Sequence, residues 1–405
     1  MRIALIILLA ACSPAPRCPV ADLAPLPAPP RYAVVASDYA SSAIALLDDE
    51  GALVTEAWMD SGTFEPRVVA ALSGDVVLPT APLDGCTLGV VDRFTTDVVT
   101  LLDVCSHDRE GVIEHAIDAR AGTRDEDAAF SPNPQDILLA GGSHWISRLN
   151  PHPEGVAGND LLRVGAGGAV VERVDLGALD ALDLVSGERF YARPSRMVAI
   201  DRFLVVGLAR LTASFMRAAD GAVAIVDTQS ATSIALPLEG LANCTEVVPA
   251  GAERALVACQ GDPFVRGEAR RARAGLALVA MRGGAPSVDA LWRAADHPDA
   301  PIAASTPVWV GGRALAVAMG ARTTGEDDRA VLVDLASGEH VVLVEAGDAF
   351  VLGSGAYDSD SQLLLLPDAE RSEVRRFAGA ELRELEPVAV ASCRGLPPRE
   401  IRRVR

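Results

Sequence analysis

Short apolar runs, each closed by a polar turn, recur along the whole chain. The clearest is Gly221-Ala-Val-Ala-Ile-Val-Asp227, and its outline returns at Ile44 to Asp48, Leu88 to Asp92 and Ala330 to Asp334. Looser copies stand at Leu161 to Gly165, Leu276 to Met281 and Glu373 to Phe377. Their starts, at positions 44, 88, 161, 223, 276, 330 and 373, lie 43 to 73 residues apart, the spacing of a propeller or solenoid unit.

Around each copy, runs rich in Val, Leu and Ile and bounded by Gly, Ser and Asp read as strands. The first module holds three: Tyr32 to Ala36, Ala43 to Asp48 and Leu53 to Trp58. The second reads as Val68 to Leu72, Asp75 to Leu78, Leu88 to Asp92 and Val98 to Val104. Four-stranded modules then open at Pro134, Pro194, Thr245, Pro307 and Gly355. Proline suits such a start, because the first residue of a strand need not donate to the ladder. The C-terminal stretch Leu396-Pro-Pro-Arg-Glu-Ile-Arg-Arg-Val404 has the form of the second module's opening, Pro66-Arg67-Val68-Val69, and predicts the inner strand that the first module lacks. The fold class that follows is all-β: a seven-bladed β-propeller over residues 31–405, closed by a C-terminal inner strand paired with the N-terminal blade. Closure of this kind removes exposed sheet edges. An open β-solenoid, the rival, needs no matching of ends. Two stretches, Ser106 to Ser131 and Leu176 to Arg193, are longer than connections between strands require. The first is rich in Asp and Glu and reads as a solvated face.

The N-terminus follows another rule. Met1-Arg2, the apolar run Ile3 to Leu9 and then Leu9-Ala10-Ala11-Cys12 look like a secretory leader ending in a bacterial lipobox, too short to span a bilayer. This predicts a signal peptide at 1–11, acylation of Cys12, and a proline-rich spacer at 12–30 that holds the folded body away from the membrane. By likeness to enterobacterial sorting, Ser13 after the cysteine points to the outer membrane, with the body on its periplasmic or cell-surface side.

Charge and composition remove several functions. The chain has 36 basic and 55 acidic residues, and every basic residue is arginine. Schiff-base, phosphate-loop and Ser-Lys chemistry are thereby excluded. The formal charge of -19 leaves no electrostatic footprint for nucleic acid.

With Cys12 acylated, six of the seven cysteines remain for an oxidising compartment. Cys86 with Cys105, and Cys244 with Cys259, lie close in sequence within single modules; Cys18 and Cys393 are brought together only if the chain ends meet. No C-x-x-C spacing favours zinc.

Catalytic signatures such as G-x-S-x-G, H-E-x-x-H and G-x-G-x-x-G are missing from the sequence. His107, Glu110, Glu114 and His115 form the densest group of ligand-type residues, and a charged surface loop is their simplest reading. Tyr357-Asp-Ser-Asp-Ser361 resembles half a calcium loop but lacks its glycine and distal glutamate, so calcium is the one cofactor left in view and no catalytic residue is assigned. A propeller takes its ligand at one mouth of the central channel. The polar residues at the starts of the inner strands, Arg67, Gln135, Asp136, Ser195, Arg196, Glu246 and Arg399, are the candidates, with Thr245 and Thr306 beside them. Ion pairs that simply cap the channel would explain them as well.

The stretch Asn133-Pro-Gln-Asp136 to His144-Trp-Ile-Ser-Arg148 resembles the surface-layer type of propeller repeat, in which a second strand carries a Tyr-Val-Thr-Asn-like sequence; here His-Trp-Ile-Ser replaces it. The likeness extends to lipobox-bearing propellers of GC-rich bacteria such as myxobacteria. The reading that follows is a monomeric, lipid-anchored envelope propeller that binds or scaffolds a protein or glycan without catalysis. The alternative is a metal-dependent hydrolase or lactonase acting at the channel mouth.

Overall fold

The computed structural model describes residues 18, 21–63, 71–122, 129–297, 305–318, 327–390 and 392–405. The predicted leader at 1–11, Cys12 and Arg67 lie outside the described residues.

Seven four-stranded antiparallel sheets account for most of the described chain. Their first strands are Pro398–Arg403, Val76–Val77, Pro134–Ala140, Pro194–Ile200, Glu246–Pro249, Val308–Val310 and Ala356–Asp358. From Pro134–Ala140 onward, successive first strands lie side by side around a central channel, the last of them against Pro398–Arg403. The strand Pro398–Arg403 pairs with Tyr32–Ser37, so the C-terminus completes the sheet that the N-terminus begins. The segment just before Ala356 reinforces this junction: Ser354 N–H donates to the Arg399 carbonyl at 3.0 Å, and Ile401 N–H to the Ser354 carbonyl at 2.9 Å. Gly353 permits the approach, since a Cβ there would stand 2.1 Å from the Arg399 oxygen.

The apolar runs are explained by position. Third strands such as Ser42–Leu47, Asp220–Asp227 and Ala274–Arg282 are buried on both faces between neighbouring sheets and therefore read as near-continuous hydrophobic sequence. Outer strands such as Val170–Asp175 and His340–Glu345 are largely exposed. Between sheets, side chains from adjacent inner and middle strands interlock. Tyr32, Val34 and Leu47 of the first sheet share one cluster with Leu363, Leu365 and Val374 of the last. Trp145, fully buried, packs the third sheet against the fourth, among Met197, Leu204 and Ala224.

One module differs from the sequence reading. The second sheet consists of Val76–Val77, Thr87–Asp92, Val98–Asp103 and Ile113–Asp118, one strand out of step with the expected Val68 to Val104. Its outer strand comes from the acidic stretch read as a loop. An outer strand has one solvated face, so Glu114 and Asp118 sit exposed while Ile113 and Ile117 face inward, and the acidic composition hid the alternation. The long stretch after Leu176 also carries structure, a small sheet of Ala181–Leu182, Arg189–Tyr191 and Leu211–Thr212.

The last part of the spacer is docked against the body. Leu23 is buried in the cluster of Trp58, Leu88 and Val90, and the Trp58 indole N–H donates to the Ala24 carbonyl at 2.8 Å. Disulfides join Cys18 to Cys393, Cys86 to Cys105 and Cys244 to Cys259. The first ties the spacer to the segment leading into the last strand.

Candidate functional site at the central channel

Three inner strands open with the same grammar: Pro134-Gln-Asp136, Pro194-Ser-Arg196 and Pro398-Arg-Glu400. In each, the register against the second strand shifts at this point: between Pro134 and Asp136, between Pro194 and Met197, and between the partners of Pro398 and Glu400. A bulge re-aims the side chain beside it. Asp136, Arg196 and Glu400 accordingly meet at the channel centre.

There they form a bonded plug. Arg196 Nη2 donates to Glu400 Oε1 at 2.9 Å, and its Nη1 donates to the Leu78 carbonyl at 2.7 Å. Arg402 Nη2 lies 2.9 Å from the same Glu400 oxygen, so one carboxylate bridges two guanidinium groups. The second Glu400 oxygen accepts the Leu78 N–H at 3.1 Å. Asp136 is fully buried and accepts from the Thr80 hydroxyl at 2.7 Å and from the backbone N–H groups of Thr80, Ile137 and Met197. It stands 3.9 Å from Arg196, and Glu246 4.0 Å from Arg196 on another side.

Charge at the plug follows from burial against neighbours. Burial pushes the Glu400 carboxyl up, but Arg196, Arg402 and the Leu78 N–H outweigh it and hold the group below its ordinary value. Burial wins at Asp136, whose carboxyl rises above the usual carboxylate range despite Arg196 and Thr80. Burial opposes the charge of Arg196 too, yet Glu400, Asp136 and Glu246 together raise it. For Arg402 burial prevails and lowers it.

The plug separates two cavities. One, of about 200 Å³, lies where the inner strands start and is lined by Arg93, Glu246, Thr306 and Arg399. The other, of about 150 Å³, lies where they end and is lined by Pro249, Trp309, Tyr357 and Arg402. Single strands contribute to both: Glu246 to the first and Pro249 to the second, Arg399 to the first and Arg403 to the second.

The sequence-derived residues divide accordingly. Asp136 and Arg196 belong to the plug. Glu246 reaches the first cavity, where it accepts from the Thr306 hydroxyl at 2.7 Å. Arg399 spans its rim, donating to the Ser37 carbonyl at 3.2 Å and the Phe350 carbonyl at 2.6 Å beneath the Tyr39 ring. Gln135 is buried, turned back onto Asn133 at 2.7 Å, with Arg93 donating to it at 3.3 Å. Ser195 is buried and presents its carbonyl to the Ser147 hydroxyl at 2.6 Å. Sequence reasoning missed Glu400 and Arg402. The signal was available: two residues apart on a strand, they share a face, and the Pro-x-acid/base pattern of Pro134 and Pro194 recurs at Pro398.

The ligand-type residues elsewhere among the described residues do not assemble as a centre. Among the described residues, the group with three ligand atoms in reach of one another is Cys86, Asp103 and Cys105, whose two sulfurs are bonded together. Glu114 approaches the Thr87 hydroxyl, and His115 lies 3.0 Å from the Ala166 carbonyl. Asp358, of the half calcium loop, accepts from Arg31 Nη2 at 2.6 Å and is held below its ordinary value, burial notwithstanding, chiefly by that bond.

Sheet order and channel define the protein as a β-propeller. Comparison with known proteins agrees at the level of fold. No family model and no curated sequence matches the chain. Among solved structures, it is similar to a hypothetical selenium-binding protein from Sulfolobus tokodaii, at TM-score 0.55 and 10% identity over 94% of this chain and 96% of the other. A putative 6-phosphogluconolactonase from Bacteroides fragilis superposes at TM-score 0.53 with 9% identity over 93% and 98%. The periplasmic gluconolactonase of Pseudomonas aeruginosa does so at 0.52 with 14% identity over 93% and 99%. At these identities the likeness is one of architecture.

Proposed function

We propose that the protein is a seven-bladed, ring-closed propeller, anchored by lipid at Cys12 on the outer membrane, that binds a partner protein of the cell envelope without catalysis. The observation that carries this reading is the placement of its exposed aromatic side chains. Tyr39, Phe94, Phe264 and Phe350 are 69%, 55%, 62% and 44% exposed. All four lie in connections on the face where the inner strands start: after the second strand of a sheet for Tyr39, Phe94 and Phe264, and before an inner strand for Phe350. In a chain with 4% aromatic residues, rings exposed on one face are the kind of amphipathic group that protein interfaces use. Phe264, Val265 and Phe350 also share one groove of about 420 Å³ beside the channel mouth. Three disulfides fit an oxidising compartment outside the cytoplasm.

The hydrolase alternative draws on the same channel. It would require Asp136, Glu246 and Glu400 to turn oxygens toward a metal or a water, but Asp136 and Glu400 already direct theirs at N–H groups and arginines. Binding on the loop face makes no such demand.

Changing Phe264 and Phe350 together to Ser is expected to abolish the partner-dependent band seen after cross-linking in the native cell, with melting of the purified body unchanged. A band of undiminished intensity would remove the loop face from the interface. Globomycin is expected to cause accumulation of the uncleaved precursor; unchanged mobility on gels would refute the anchor.

A further inference from the structure

The cavity at the far end of the channel, away from the aromatic loops, has a composition unlike the rest of the molecule. The chain carries a formal charge of -19, yet among the described residues the charged side chains lining this cavity are Arg402 and Arg403. Its walls are otherwise mainly apolar, built from Pro82, Val248, Pro249, Val308, Trp309 and Tyr357. Its volume of about 150 Å³ matches cavities that accept a single benzene-sized ring.

Arg402 is the second observation. It is 5% exposed, and its Nη1 donates to the Gly355 carbonyl at 2.8 Å. Its Nη2 faces Glu400, while among the described residues Nε has no hydrogen-bond acceptor. A buried N–H left without an acceptor costs stability unless something supplies an oxygen. Arg403, whose side chain is 26% exposed, brings a second guanidinium to the same cavity, partly balanced by Asp358 at 3.5 Å. An apolar pocket with a few convergent polar groups is the usual form of a small-molecule site, and guanidinium is well matched to carboxylate.

We propose that this cavity binds a small monocarboxylate with a compact apolar body, its carboxylate meeting Arg402 and Arg403 and its ring or short chain lying against Trp309 and Val308. The site is independent of the loop face assigned to a protein partner, and neither requires the other.

Benzoate is the probe, and benzyl alcohol its uncharged counterpart. Titration calorimetry of the folded protein is expected to show saturable one-to-one binding of benzoate, with benzyl alcohol about tenfold weaker or worse, the effect of losing a charge-assisted contact. Arg402 also supports the channel plug, so Arg403→Gln and Trp309→Ala carry the mutational arm; each is expected to weaken benzoate about fivefold while the protein melts cooperatively. Absence of saturation by benzoate up to about 10 mM would overturn the proposal and leave the cavity to water. So would equal affinity for benzyl alcohol, or benzoate binding untouched by both substitutions.

Discussion

Replacing Glu400 by Gln is expected to destabilise the protein by about 3–5 kcal/mol, the cost of leaving buried charge without its partner. The change keeps the volume and removes the charge that faces both Arg196 and Arg402, each 2.9 Å from the same oxygen. Both guanidinium groups are buried and stay charged in the variant. Denaturant melts of wild type and variant at neutral pH measure the difference. A second substitution, Arg402→Met, added to the first should cost less than the sum of the two separately, since it removes one of the stranded charges. The pH dependence has a defined sign. Glu400 sits below its ordinary value when folded, so its contribution is fully present above the unfolded carboxylate pKa and is lost as pH falls through the folded value. The gap between wild type and variant should therefore be constant above about pH 5 and narrow below about pH 4. Asp136, raised when folded, acts in the opposite direction in both proteins. A variant within about 1 kcal/mol of wild type at pH 7 would show that the plug is not what holds the inner strands together.

Cys393→Ser is the second large effect. The bond between Cys18 and Cys393 closes a loop of 375 residues, and on the chain-entropy account long loops gain most from a cross-link. A loss of about 2–5 kcal/mol is expected in oxidising buffer. Because reductant also opens the other two bonds, the informative quantity is the difference between variant and wild type under each condition. It should be present without reductant and vanish with it. Equal differences in both would assign the effect to packing around residue 393 and not to the bond.

What could be read from the sequence follows the burial of each strand. Third strands sandwiched between sheets, such as Asp220–Asp227 and Ala274–Arg282, announce themselves as apolar runs, and six of the seven copies found by pattern are third strands. The exception, Leu88 to Asp92, lies in a second strand, and that slip carried the whole second module out of register. It arose because Ile113–Asp118 has one wet face, and its Glu and Asp residues masked the alternation beneath. The C-terminal strand was legible from Pro397-Pro398 because the same opening recurs elsewhere. The residues that matter most at the centre were legible only in part. Asp136 and Arg196 stood out as polar groups at the start of inner strands, whereas on the closing strand, itself expected, Arg399 was singled out and Glu400 and Arg402 were passed over. The pairing with Tyr32–Ser37 was expected, but the register shift near Pro398, which decides which side chains of the strand turn to the centre, was not. The docking of Leu23 beside Trp58 was missed because the surrounding prolines speak for extension and are silent about what a leucine among them touches.

The junction of the two chain ends has a consequence for how the molecule is made. Until Pro398–Arg403 has been synthesised, Tyr32–Ser37 has no neighbour on its inner side, and the pair Arg196 and Asp136 faces no Glu400. A nascent chain emerging from its amino end therefore cannot reach its final shape early, however much of it has been synthesised. The first sheet and the central plug are therefore completed together, by one and the same strand.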